Sequence, residues 1–315
     1  MKNLHNSLKC AIISTLLLKG ETMERLSKKE IENLSLDQKK KYYNDLKNYY
    51  ANLKDNKLEH KLHQAVNPLI KVIAKNLNGT NKNPSKIEIF KNEWDQKKYN
   101  GPVIYACNHT NSHDMPFVIE VARNQYYVYA GNEIENDING MLFKLNGVVF
   151  VDRTSKEDRK KSFDKFVKLC CQSKDTLIFP EATWNVTPNK PMNNIYGGVI
   201  EAAIISGNPI IPLVTEYTDS KWYIYIGKPI FISYVTDIDQ AREYLRDTMA
   251  TMKWNIWESF SQTKREEIPN NYYNQYLNKI YTEYPKLDPV FESQFVYKDY
   301  LTEEEVFENV KKLTK

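Results

Sequence analysis

Between Ile87 and Ile226 short apolar runs alternate with helical stretches, and no other feature of the chain constrains its fold as strongly. Period and composition predict strands over Ile87 to Phe90, Val103 to Cys107, Tyr126 to Ala130, Val148 to Val151, Thr176 to Phe179, Ile210 to Val214 and Trp222 to Ile226. The intervening stretches predict helices over Pro116 to Arg123, Asp137 to Leu145, Lys156 to Gln172 and Gly197 to Ile205. Such alternation implies an α/β layer fold, a largely parallel sheet flanked by helices. Ligands of a sheet of this kind sit beyond the carboxyl ends of its strands. His109, Arg153 and Glu181 each follow a predicted strand directly, so three chemically capable side chains converge on one edge.

Helices are expected on both sides of this core. From Ser27 to Lys54 the residues Tyr42, Leu46, Tyr49 and Leu53 form one apolar stripe, expected to face the core. A second helix, Lys61 to Leu77, carries Leu62, Val66, Leu69, Ile70 and Ile73 beside Lys71 and Lys75. Packing of that stripe against the sheet domain is expected, with a membrane interface as the alternative. Pro68 should start, kink or break this helix. Asn78 to Pro84 reads as a loop and a boundary. Beyond Pro229, Asp237 to Phe260 and Tyr272 to Tyr281 are helical and rich in aromatics, Trp254 and Trp257 among them, which are expected in the core. The division is then an N-terminal helical pair in region 23–80, an α/β domain over 85–232 and a C-terminal helical cover over 236–315.

Residues 1–22 stand apart. Lys19-Gly20-Glu21 fits a purine-rich ribosome-binding stretch just ahead of Met23, so 1–22 read as translated upstream sequence, although Met1 stays open as the start. Lys2 and Lys9 ahead of the apolar run Cys10 to Leu18 give the outline of a signal peptide, but no small-x-small cleavage site follows. The run is nine residues long, and a membrane span needs about 20.

A chain of 315 residues can bury a full core, and its net charge of +4 falls well short of a nucleic-acid binder's footprint. The charge fits weak attraction to an anionic membrane surface, and the wealth of Lys, Asn, Ile and Tyr also fits AT-rich coding. Cys10, Cys107, Cys170 and Cys171 form no zinc spacing and are expected as reduced thiols in a cytosolic setting. Cys107, two residues before His109, is expected as a packed thiol rather than a nucleophile.

The densest chemistry lies in Asn108-His109-Thr110-Asn111-Ser112-His113-Asp114, at a strand-to-helix turn. On one helix, positions five apart point about 140° away from each other and could not pair. Pro116 belongs in a helix's first turn, which places His109 in the loop and Asp114 in the opening turn. The carboxylate then folds back onto one imidazole nitrogen and leaves the other as a general base. A polar helix N-terminus without chemistry would carry the same residue types.

Three further segments sharpen the reading: Gly147-Val148-Val149-Phe150-Val151-Asp152-Arg153, Leu177 to Asn185 with Phe179-Pro180-Glu181-Ala182-Thr183-Trp184 inside it, and Asn208-Pro209-Ile210-Ile211-Pro212-Leu213-Val214. In this order the four segments resemble the glycerolipid acyltransferase family. Its pattern is Asn-His-x(4)-Asp, then Gly-x-x-Phe-x-x-Arg, then Phe-Pro-Glu-Gly-Thr-Arg, then an apolar run with prolines. The resemblance covers about Ile87 to Ile232. It departs from the pattern in the third block, where the family's glycine is Ala182 and its arginine is Trp184. Losing a planar bidentate donor favours a different acceptor head group, and an indole can stack on a sugar face or cover an acyl chain.

The resemblance implies acyl transfer with His109 as general base and Asp114 as its orienter. By the same resemblance Arg153 binds an anionic group of the acceptor, Glu181 and Thr183 bind or orient its hydroxyls, Trp184 lines the acceptor site, and Pro212 shapes an apolar wall for the acyl chain. It implies acyl-CoA or acyl carrier protein as thioester donor, a membrane lipid as acceptor, no cofactor and no metal, at the inner face of the cytoplasmic membrane. Two alternatives remain: a lipid-binding protein of the same fold without turnover, and a metal-dependent hydrolase built on His109, His113 and Asp114. A serine hydrolase is disfavoured because no Gly-x-Ser-x-Gly elbow occurs.

Overall fold

In a computed structural model of the protein, the described residues are 25–77, 87–110, 114, 118, 121–123, 126–132, 138–187, 190–218, 221–260, 264–283, 288, 291–292 and 294–295. The boundary loop at 78–84, His113, Pro116, Cys10 and all of 1–22 lie outside them, as does most of the helix expected over Pro116 to Arg123.

Seven strands form one sheet: β1 (Ile87–Asn92), β2 (Ile104–Cys107), β3 (Tyr126–Gly131), β4 (Val148–Val151), β5 (Asp175–Ile178), β6 (Ile210–Thr218) and β7 (Lys221–Ile226). Their order is β1-β7-β6-β2-β5-β3-β4. Every pair is parallel except β6 with β7, so the sheet is largely parallel as its alternating sequence implies. Eight α-helices accompany it among the described residues: α1 (Lys28–Glu32), α2 (Leu36–Asn52), α3 (Lys57–Leu77), α4 (Ile138–Leu145), α5 (Lys156–Cys171), α6 (Gly198–Ser206), α7 (Ile238–Glu258) and α8 (Tyr272–Glu283).

Both faces of the sheet are covered. Ile104 and Ala106 of β2 pack toward α2, α5, α6 and α7, through residues such as Leu46, Phe166, Ile200 and Leu245. Val103, Tyr105 and Cys107 point the other way, toward Trp94, Val118, Ala122 and Phe143. Crossovers β2 to β3 to β4 therefore run over one face and β4 to β5 to β6 return over the other. A right-handed crossover that reverses direction must change face, so the chain leaves the neighbouring strands β2 and β5 toward opposite faces. In open α/β sheets ligands bind at such a switch point, beyond the carboxyl ends of the strands. His109 and Glu181 follow those two strands.

Several expectations are corrected at the ends of the chain. The single helix over Ser27 to Lys54 is two, because Ser35 starts a new capping box with Gln38 and ends the run from Ser27. Its buried face is Tyr42, Tyr43, Leu46 and Tyr50, with Tyr49 and Leu53 only at the margin. Pro68 stands inside α3 without ending it. That helix also packs the wrong way round for its leucines. It buries His60, His63 and Asn67 and packs Ile70 of the expected stripe against the core, while Leu62 and Leu69 are 49% and 59% exposed. The polar face has specific partners. Asn67 donates to Asn146 Oδ1 (2.9 Å), His60 bonds Tyr127 and Asp55, and the His63 ring lies 4.4 Å from that of Tyr127. In α7 the core contacts are Leu245, Met249, Met252 and Ile256, and Trp254 is exposed. Cys107, Cys170 and Cys171 are buried free thiols, and burial pushes Cys107 well up.

Candidate active site

His109 lies in the turn after β2, and Asp114 is helical and fully buried. His109 Nδ1 is 3.1 Å from Asp114 Oδ2. Asp114 also accepts from the Thr110 N–H (2.5 Å) and hydroxyl (3.0 Å), and from the hydroxyl of Thr215 on β6 (2.7 Å). An ionised carboxylate only accepts, so this arrangement assigns the proton to Nδ1 and leaves Nε2 as the imidazole's basic lone pair. The His109 side chain is 22% exposed, enough for a reactant to reach it.

The backbone of His109 is held as firmly as its ring. Its N–H donates to Glu181 Oε1 (2.9 Å), and its carbonyl accepts from the Asn185 N–H (2.6 Å). Glu181 Oε2 accepts from the Asn193 N–H (2.7 Å). Glu181 thus spends both oxygens on backbone donors in a fully buried position, tying the loop after β5 to the loop after β2. Burial pushes its carboxyl up to about 7, against the pull of those two N–H groups and the charge of Lys253. Lys253 reaches this region from α7 and pairs with Glu216 at 3.1 Å.

The third motif walls the imidazole. Phe179 stacks on the His109 ring at 4.4 Å between centroids, and Trp184 meets it edge-on at 5.7 Å. Ala182, standing where the family has glycine, has φ 58, in the left-handed region that glycine tolerates and alanine does not favour. Gly147 of the second motif has φ 79, and a Cβ there would come within 2.8 Å of the His63 ring. Both positions call for glycine on backbone grounds alone.

Arg153 follows the edge strand β4 and reaches back to this loop, donating from Nη1 to the Ala182 carbonyl at 2.9 Å. It also pairs with Glu292, whose Oε2 accepts from the buried Thr183 hydroxyl at 2.6 Å. His109, Asp114, Arg153, Glu181, Thr183 and Trp184 are therefore gathered at one edge. Pro212 is not with them. It is buried within β6, paired in register with Ala106, and its carbonyl accepts from the Gly227 N–H.

Sequence reasoning missed several members of the site. Asn108 clamps β6, donating to the Thr215 carbonyl (2.9 Å) and accepting from the Thr215 N–H (2.7 Å). Its place inside the first motif was a usable signal. Thr215 and Asn193 carried none, because their partners are distant in sequence. Glu292 lay in a stretch read only as helical cover. The hydrolase alternative depends on His113, outside the described residues.

Comparison with known proteins gives concordant results. Residues 82–216 match the sequence model of the family described as Acyltransferase. A 1-acyl-sn-glycerol-3-phosphate acyltransferase from Haemophilus influenzae is 32% identical over 133 residues, covering 40% of this chain and 52% of the relative. The chain thus spans about half the length of that relative. A crystal structure of the 1-acyl-sn-glycerophosphate (LPA) acyltransferase PlsC from Thermotoga maritima superposes with a TM-score of 0.46 at 13% identity, covering 83% of this chain and 98% of that one. That structural likeness carries no part of the assignment. Residues 82–216 are thus similar to the family described as Acyltransferase, and the four ordered motifs all lie inside that segment.

Proposed function

We propose that the protein is an O-acyltransferase that moves a fatty acyl group from a thioester of coenzyme A or acyl carrier protein to a hydroxyl of a lipid-type acceptor, such as a lysophospholipid or glycolipid. The single observation that carries this reading is the His109 Nδ1 to Asp114 Oδ2 contact of 3.1 Å, with the imidazole still partly exposed. As the acceptor oxygen attacks the thioester carbonyl, His109 Nε2 takes its proton and Asp114 stabilises the imidazolium. The C–O bond forms, the C–S bond breaks, and the proton passes from His109 to the departing thiolate. The chemistry asks for no redox step. Phe179, stacked on one face of the ring, and Trp184, edge-on to it, keep the ring in place.

Glu181 serves this reaction by fixing the His109 backbone, and the acceptor's hydroxyls are left to other groups. The activity for which the Haemophilus relative is named suggests a lysophosphatidate acceptor. Trp184, in place of a cation, supports a different head group.

The inverted helix α3 supports peripheral contact with the inner face of the cytoplasmic membrane. Leu58, Leu62, Leu69 and Val72 are exposed and fall within about 80° of the helical wheel, with Lys57 and Lys61 beside them. An apolar stripe flanked by lysines matches an interfacial helix on anionic lipid. Among the described residues no helix is long and apolar enough to cross a membrane.

Thiol release from an acyl thioester by purified protein, with and without a total lipid extract, tests the reading. Acceptor-dependent release should fall by about 10² to 10⁴ in His109→Ala, the usual contribution of a positioned base. Equal release by wild type and variant, with both donors, would leave the non-catalytic lipid-binding alternative in its place.

A further inference from the structure

A turn of the C-terminal region is seated on Arg153. Phe291 and Glu292 donate their N–H groups to Asp288 Oδ1 (3.1 Å) and to its carbonyl (2.9 Å), which fixes one helical turn. From that turn Glu292 meets the guanidinium end-on with both oxygens, with Nη2 to Oε1 at 2.9 Å and Nη1 to Oε2 at 3.0 Å. Thr183 donates to Oε2, so three donors converge on one carboxylate. The rings of Phe295 and Phe291 lie 4.1 and 5.4 Å from the guanidinium carbon, and the Tyr196 hydroxyl anchors the Phe295 carbonyl at 2.8 Å. Both ends of the pair are largely buried, at 13% and 19% exposure.

Burial works against ionisation of Glu292, but the hydrogen bonds from Arg153 and Thr183 and the charge of Arg153 outweigh it and hold the carboxyl below the usual range. The pair is then ion to ion, and bidentate geometry makes it one of the stronger kinds of charge-assisted bond. A phosphate arriving at Arg153 has to expel Glu292 or lie beside its negative charge. Built-in repulsion of that kind is how a site rejects a competing ligand. The neighbouring Trp184 offers no replacement cation.

On the acyl-transfer reading, we propose that Glu292 is a specificity-determining residue: by occupying Arg153 and Thr183 it selects an acceptor with an uncharged, hydroxyl-bearing head group over one carrying a phosphate monoester. The acceptor class is then a monoacylglycerol or a lyso-glycolipid, and Arg153 acts as a support for the loop at Ala182.

The test compares wild type, Glu292→Gln and Glu292→Asp on monoacylglycerol, a lyso-glycolipid and lysophosphatidate, and titrates each protein with inorganic phosphate by calorimetry. Wild type should favour a neutral acceptor at least tenfold in kcat/KM. Glu292→Gln should shift that ratio at least tenfold toward lysophosphatidate and gain phosphate binding, while Glu292→Asp keeps the wild-type preference. Fastest transfer by wild type to lysophosphatidate, or an equal change on all acceptors in Glu292→Gln, overturns the proposal. If no acceptor gives His109-dependent transfer, the acyl-transfer reading fails and phosphate binding decides the rest. Binding gained in Glu292→Gln upholds Glu292 as the block on Arg153, and equal binding removes it.

Discussion

Thr215 donates its hydroxyl to Asp114 Oδ1 at 2.7 Å, joining residues 101 positions apart in the sequence. The carboxylate that faces His109 is thus aligned from behind by a central strand. Thr215→Val keeps the shape and removes the donor. Loss of one hydrogen bond to a charged group should cost about 1.5–3 kcal/mol of stability. We expect kcat for acyl transfer to fall roughly tenfold, the equivalent of about 1.4 kcal/mol in the barrier, with KM unchanged. Steady-state kinetics decides it, and an unaltered kcat would reduce Thr215 to a packing role.

Ala182 holds a left-handed backbone where its neighbours in space need its carbonyl, which accepts from Arg153. Relief of that conformation is worth about 1–2 kcal/mol, less the entropy that glycine adds to the unfolded chain. Ala182→Gly is expected to raise stability by about 0.5–1 kcal/mol. Urea denaturation measures it, and a destabilised variant would contradict the assigned strain.

His63 is buried, and neither ring nitrogen finds a partner in bonding geometry, although the carbonyls of Tyr126 and Leu145 lie near enough to favour the charged form. Burial dominates and lowers its pKa from 6.5, with the nearby His60 adding to the effect and Glu59 opposing it. Below pH 6.5 the unfolded chain takes up a proton that the folded chain resists, so stability present above that pH is lost as pH falls. Melting temperatures between pH 8 and pH 5 should drop less steeply for His63→Leu than for wild type. Parallel curves would show that His63 contributes nothing to the acid sensitivity.

The exposed leucines of α3 predict binding to vesicles containing anionic lipid. Each leucine withdrawn from the interface costs about 1.5–3 kcal/mol. Leu62→Asp with Leu69→Asp should weaken partition at least tenfold and leave the fold's circular dichroism intact. Undiminished sedimentation with vesicles would assign the stripe to another surface.

Where the sequence was legible, local rules were enough. The α/β alternation placed all seven strands, since each strand or helix carries its own hydrophobic period. The pairing of His109 with Asp114 followed from Pro116 and the strand before it. The errors have physical causes as well. The leucine stripe of α3 was expected inward, because periodicity shows that one face is apolar without showing which face meets the protein. Polar partners at Tyr127 and Asn146, supplied by other elements, reversed it.

The sequence by itself determined the elements, their alternation and the motif residues at strand ends, all set by spacing along a few turns or pleats. Only the tertiary structure decided that Thr215 backs Asp114, that Glu181 spends its oxygens on the loop holding His109, and that Glu292 sits on Arg153. Those contacts join positions far apart in the chain. Hydrogen bonds of this kind depend on where the sheet order and its crossovers bring loops together, and no local period encodes that.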